Sequence, residues 1–228
     1  MMIEQGKLHV DLQKLKTLKL HHFGDESLDV FPFVFHSKVS LPCFQSLEFH
    51  ESAFKQIFPS GGCNQNILSQ LKELHLHKLS QLQSIGLEHS WMAPFPKKLE
   101  TLSVSECHGL KYLFTSSTAK MLASLEEITV TNCESLQEIV LADEGELEEI
   151  MFNELGVLIL MSLPKLGSFY KGTSTLKLPS LSRVSFTHCH NTKLFPHRDS
   201  LPRLSYVKID GEYYYGDDMH YLLEVVAA

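Results

Sequence analysis

Residues 99–107 read LETLSVSEC and residues 125–133 read LEEITVTNC. The two stretches share one template. Apolar residues stand at its first, fourth and sixth positions, polar residues lie between them, and cysteine ends it at the ninth. Leu102 and Val104 alternate with Thr101, Ser103 and Ser105, the period-two pattern of a short strand with one buried face. A strand this short cannot bury that face by itself. It needs a copy of itself alongside.

Such copies run along the chain. LKTLKLHHF begins at Leu15, FQSLEFHES at Phe44, LKELHLHKL at Leu71, LGVLILMSL at Leu155, LSRVSFTHC at Leu181 and LSYVKIDGE at Leu204. The starts at 15, 44, 71, 99, 125, 155, 181 and 204 are separated by 29, 27, 28, 26, 30, 26 and 23 residues. A period of about 20–29 residues with this spacing of apolar positions is the signature of leucine-rich repeats. Between templates, Leu110 and Leu113, Leu136 and Ile139, and Leu166 and Phe169 continue the coil. The expected fold is therefore α/β: a right-handed leucine-rich-repeat solenoid of about eight repeats. Its parallel β-sheet lines the concave face, and the convex side is irregular or briefly helical. Residues 1–14, with Leu8, Val10 and Leu12, read as the remnant of a preceding coil, and residues 15–211 as the repeats. Residues 212–228 read as a C-terminal cap, in which Met219, Leu222, Leu223 and Val226 recur at helical intervals behind the Asp217–Asp218 pair. With no such cap before Leu15, the chain reads as part of something longer.

Bulk properties narrow the function. A formal charge of −7 opposes nucleic-acid binding, which needs clustered Lys and Arg to neutralise phosphates. No apolar run reaches the roughly 18–20 residues of a membrane span, and the start MMIEQGKLHVDL lacks the basic-then-apolar order of a secretory signal. Five cysteines, odd in number and without close pairing, suit a reducing compartment, so the expected location is cytoplasmic. Cys107, Cys133 and Cys189 all occupy the ninth position, where a small side chain packs beneath the turn leaving the strand. They form no CxxC pairs, so their expected role is structural and not zinc ligation. Leu79 and Leu163 hold the ninth position in a second repeat subtype. Phe23, Ser52 and Glu212 depart from it, and Cys43 and Cys63 fall between templates.

LETLSVSECHGLKYLFTSSTAKMLASLEEITVTNCESLQEIV, FNELGVLILMSLPKLGSFY and LPSLSRVSFTHCHNTKLFP, within residues 99–196, resemble the C-terminal repeats of plant intracellular disease-resistance proteins of the coiled-coil nucleotide-binding leucine-rich-repeat class. Mixed Cys and Leu-Pro repeats and the acidic run Asp143 to Glu149 carry the likeness. The resemblance implies perception of pathogen effectors, or of host proteins they modify, and restraint of an adjoining nucleotide-binding domain. No GxxxxGK[ST] phosphate loop occurs, and Ser60–Gly62 lacks the lysine, so no cofactor is expected in these residues.

Positions three, five, seven and eight should project outward from the sheet. Two groups stand out as candidate partner-binding residues. In the sixth repeat Val157, Ile159 and Met161 are all apolar, and leaving an Ile or Met in water forgoes roughly 1.5–3 kcal/mol each. In the first three repeats His21, His50 and His77 share position seven, beside His75 and Glu73. Strands pair about 4.8 Å apart, so that column could hold a metal ion, a pH-sensitive contact or, most simply, ordinary polar surface. Arg183, Tyr206 and Lys208 extend the outward face through the last repeats. The acidic run should lie on a connecting loop, solvated or facing a basic partner.

Catalysis is not expected. Cys189 lies between His188 and His190, but the ninth position points inward and the eighth outward, so thiol and imidazole should diverge. No GxSxG or HExxH motif is present. The competing scaffold reading is a substrate receptor or adaptor of a ubiquitin ligase, which would need an adaptor-binding helical motif.

Overall fold

Positions three to seven of each template form a strand. The strands are β1 (Thr17–His21), β2 (Ser46–His50), β3 (Glu73–His77), β4 (Thr101–Ser105), β6 (Glu127–Thr131), β9 (Val157–Met161) and β12 (Arg183–Thr187), with β13 (Tyr206–Ile209) one residue shorter. All pair in parallel with the next, and β14 (Glu212–Tyr214) closes a nine-stranded sheet in the order β1-β2-β3-β4-β6-β9-β12-β13-β14. The computed structural model describes residues 14–22, 41–58, 68–85, 96–143, 149–189, 194–195, 201, 203–216 and 218. Register is strict: Leu102 lies against Leu74 and Ile128, Val130 against Val104 and Leu160, and Leu158 against Ile128 and Val184. Residues of equal template position stack on one another, and the chain is a β-solenoid with little helix.

The fourth and sixth positions face inward. From Leu47 to Val207 every fourth-position side chain is essentially inaccessible, and Leu110, Leu113, Leu136, Ile139, Leu166 and Phe169 join the same core from the return side. Full burial of each such side chain contributes roughly 1.5–3 kcal/mol. On that side β5 (Tyr112–Thr115), β7 (Glu138–Leu141) and β10 (Ser168–Tyr170) form a second parallel sheet, and β8 (Ile150–Met151) pairs with β11 (Leu176–Lys177). Phe152, Phe169 and Phe195 pack in sequence, at 5.8 and 6.0 Å between ring centroids. The short helix α1 (Ser116–Ala119) is fastened by Asp143, whose carboxylate accepts from the Ser117 N–H at 2.8 Å and from the Ser116 and Ser117 hydroxyls. At the far end of the acidic run Glu149 pairs with Lys177, and residues 144–148 between them lie outside the described residues.

The eighth position is exposed or half-exposed, and it lies one residue past the end of each strand. His22, Glu51, Lys78, Glu106, Asn132, Ser162 and His188 occupy it, and each has a left-handed backbone with φ between 50 and 54°. That conformation costs a non-glycine residue roughly 1–2 kcal/mol. A bond offsets the cost. All but His188 donate their N–H to the seventh-position carbonyl of the following coil: His22 to His50, Glu51 to His77, Lys78 to Ser105, Glu106 to Thr131, Asn132 to Met161 and Ser162 to Thr187. The ladder thus runs one residue past the strand while the chain turns inward.

The ninth side chain meets the other lone pair of that carbonyl. The Cys107 thiol donates to the Ser105 carbonyl at 3.4 Å, Cys133 to Thr131 at 3.4 Å and Cys189 to Thr187 at 3.5 Å. Ser52, a departure by sequence, does the same to His50 at 3.0 Å. Phe23, at the ninth position of the first repeat, lies outside the described residues, as do Cys63 and the expected helix residues Met219, Leu222, Leu223 and Val226. Burial pushes the Cys107 thiol up to about 12 and the Cys133 thiol to about 11, outweighing the backbone N–H groups that bond their sulfurs. Cys189 is half-buried and shifted in the same direction for the same reason.

These thiols should be inert while the coil is intact. With Cys63 changed to Ser, an alkylating reagent at about pH 8 is expected to modify exposed Cys43 first, and Cys107 and Cys133 only at the rate of unfolding. Mass spectrometry of the labelled peptides reads the order. Native-state labelling of Cys107 as fast as Cys43 would contradict the buried ladder.

Candidate recognition surface

Outward side chains form rows across the sheet. In row five Lys19, Glu48, His75, Ser103, Thr129, Ile159, Ser185 and Lys208 lie in successive register. In row seven His21, His50, His77, Ser105, Thr131, Met161 and Thr187 do the same. Equal spacing of strands makes neighbours of residues about 27 apart in sequence. The named candidates fall into two groups, at opposite ends of the sheet.

The first group gathers on β1–β3. His21 and His50 stack at 4.4 Å with an 11° angle between planes, and His50 and His77 lie 5.4 Å apart and tilted by 58°. Stacking brings ring faces together and sends the nitrogens elsewhere. His50 Nε2 lies 3.5 Å from Glu48, His75 Nε2 lies 3.8 Å from Glu73, and His77 bonds Ser105 Oγ through Nδ1 at 2.7 Å and lies 3.9 Å from Glu106. Among the described residues no cluster of three His, Cys, Asp or Glu is arranged to hold a metal ion. Glu48, His50, His75 and His77 line a shallow cavity of about 240 Å³. Burial acts to raise the Glu48 carboxyl, but hydrogen bonds from Lys19 and His50 prevail and hold it below its ordinary range. Strands β4 and β6 then present only hydroxyls at rows five and seven: Ser103, Ser105, Thr129 and Thr131.

The second group is more compact. Val157, Ile159, Arg183, Tyr206 and Lys208 all border one cavity of about 210 Å³, together with Ser185 and Tyr213. Val157 and Ile159 are half-buried at its floor, and Met161 stands at the end of β9, 38% exposed. Tyr213 and Tyr215, which the sequence reading passed over, are the most exposed large hydrophobic residues described, at 52% and 59%. Tyr206 meets Tyr213 edge-on at 5.3 Å and Tyr215 at 6.1 Å, and Tyr213 stacks on Tyr215 at 6.4 Å. The Lys208 ammonium sits 5.1 Å from the Tyr213 ring centre, a cation–π contact.

A hairpin puts Tyr213 there. Asp210 and Gly211 both have positive φ, 48° and 98°, which is the two-residue type I′ turn that Asp-Gly favours. The turn reverses the chain so that β14 runs antiparallel to β13, with Tyr213 opposite Lys208 and Tyr214 opposite Val207. Asp210 has a second task. It is the seventh residue of the last template, and where the other coils offer a carbonyl its carboxylate accepts the His188 N–H at 2.8 Å. Asp-Gly was the legible signal, masked by reading Glu212 as an irregular ninth position.

His188 is exposed at the left-handed position, and the Cys189 thiol is tied into the inward ladder, donating to Leu160 and Thr187. Burial favours its protonated form, the reverse of what a nucleophile requires. Among the described residues no helix is long and apolar enough to cross a membrane.

The chain matches the family model described as plant disease resistance protein RPS2-like, leucine-rich repeats, over residues 1–134 and again over residues 87–210. No curated protein matches it.

Two measurements probe this surface. Replacing Gly211 by Val places a β-branched residue at φ +98° and should free β14. Hydrogen exchange is expected to accelerate over residues 206–216 while β4 and β6 stay protected, and unchanged protection would contradict the turn assignment. Glu48 has a folded pKa below its unfolded one, so its stabilisation is complete above the unfolded value and is lost as pH falls through the folded value. Lys19→Gln should raise the Glu48 pKa in an NMR titration and flatten that dependence. The effect shrinks with added salt because Lys19 is largely exposed.

Proposed function

The chain belongs to the RPS2-like leucine-rich repeats of plant disease resistance proteins, and from that premise we propose that it is a non-catalytic protein-recognition scaffold of an intracellular immune receptor. In this reading the solenoid is right-handed and has eight repeats, and its sheet forms a concave wall. It works in the cytoplasm, engaging a pathogen effector or a host protein that effectors modify. A contact with an adjoining nucleotide-binding domain restrains that domain until engagement. Neither a cofactor nor a nucleic acid takes part.

One observation carries the proposal furthest. The outward face of β9, β12, β13 and β14 gathers Val157, Ile159, Arg183, Tyr206, Lys208 and Tyr213 around a single hollow. Tyrosine and arginine dominate the energetics of protein interfaces, because each offers large contact area together with a polar end. A half-buried apolar floor framed by such residues has the anatomy of an interface centre, and a polar rim surrounds it on β6 and at Ser185. The paired histidines and glutamates of β1–β3 offer mainly partnered polar surface, a lesser source of binding energy.

Split-luciferase complementation in leaf tissue, against a panel of effectors and host defence proteins, tests the assignment. At least one partner is expected to pair with the wild-type chain. Ile159→Glu should leave thermal stability intact, because the side chain is on the outward face, and weaken that partner about tenfold, the equivalent of roughly 1.4 kcal/mol. Equal signals from mutant and wild type would remove this end of the sheet from the interface.

A further inference from the structure

Arg183 and Lys208 are unusual among the cations of this sheet. Lys19, the other cation on its outward strand positions, is bonded to Glu48 at 2.9 Å. Off the strands the same matching recurs: Lys72 with Glu100 at 2.6 Å, Lys78 with Glu51 at 3.5 Å, and Lys171 with Glu138 at 3.6 Å. Arg183 and Lys208 border the same cavity, and no carboxylate lines it. Three carboxylates on flanking elements keep their charge but are directed at other donors. Glu127 accepts from Thr129, Asp210 from the His188 N–H, and Glu212 from the Tyr214 hydroxyl. In a chain of net charge −7, two cations thus share one hollow that, among the described residues, no carboxylate lines.

Resting on the recognition reading above, we infer that this hollow docks an acidic segment of another protein. Carboxylates of that segment seat between Arg183 and Lys208, and an apolar side chain beside them rests on Val157 and Ile159. The chemistry favours a peptide over a nucleic acid. A phosphate backbone needs a row of cations, and these two continue into none: β6 and β4 beside them present Glu127, Thr129, Thr131, Ser103 and Ser105, and Lys19 lies at the far end of the sheet, bonded to Glu48. The apolar floor suits an aliphatic or aromatic side chain, and Tyr206 with Tyr213 supplies edges to grip it. Lys208, held over the Tyr213 ring, is already placed and loses little freedom on binding.

Fluorescence anisotropy on the chain, with labelled EEDFLEE, its neutral counterpart QQNFLQQ and a short oligouridine, decides the matter. EEDFLEE is expected to bind at least about fivefold more tightly than QQNFLQQ, and to weaken as salt shortens the Debye length from about 10 Å to about 3 Å. Arg183→Gln and Lys208→Gln should each weaken it about threefold to tenfold, while Lys19→Gln leaves it unchanged. If either variant fails the circular-dichroism check of folding, the other decides. Equal affinity for QQNFLQQ, indifference to both substitutions, or tighter binding of the oligouridine through the same two residues overturns the inference. Should it fall while Ile159→Glu still weakens the leaf partner, the scaffold reading stands. Failure of both removes the surface itself.

Discussion

Everything else in this molecule follows from the seventh-position carbonyl. It receives the eighth N–H of the preceding coil on one lone pair and, where Cys or Ser stands at the ninth position, the side chain of its own coil on the other. The first bond sets the register between neighbours, and the second turns the chain into the core. Because the donor residue must be left-handed, it is stable only when the next coil is in place to receive its bond. No rung is complete without its neighbour, which is how a nearest-neighbour stack achieves cooperativity.

That constraint divides labour along each strand. Inward positions are committed to Leu, Ile, Val and Phe by the close stacking of equal residues, while outward positions carry no such duty and vary from coil to coil. The result is a surface with three zones: a paired histidine–glutamate end, a hydroxyl middle, and an aromatic, cationic end over an apolar floor. Recognition can therefore be rewritten in rows three, five and seven without disturbing what keeps the coil wound. A rigid frame with a permissive face is what a family of recognition scaffolds needs.

The sequence makes the frame legible because the frame is periodic. Template starts at 15, 44, 71, 99, 125, 155, 181 and 204 each place a strand two residues on, and Leu102, Ile128 and Leu158 are neighbours as their phase requires. The eighth position was harder to read. Its left-handed backbone is written only negatively, in the lack of any Val, Ile or Thr among His22, Glu51, Lys78, Glu106, Asn132, Ser162 and His188. Most of the candidate site was visible too, since Val157, Ile159, Arg183, Tyr206 and Lys208 follow from phase alone. Tyr213 did not, because it reaches the same face through a reversal of direction that no repeat template contains. The return sheets were equally hidden, for their strands of two to four residues show no periodicity of their own.

The antiparallel run of β14 has a consequence for ancestry. Every coil strand pairs in parallel with the one before it, whereas β14 runs the other way, so a further strand in the direction of β13 would meet it antiparallel. Genetic duplication of a repeat can lengthen this array at any junction upstream of Tyr206. Past the hairpin, the same event would set a parallel-built coil against a strand of opposite direction, out of step with the rows behind it.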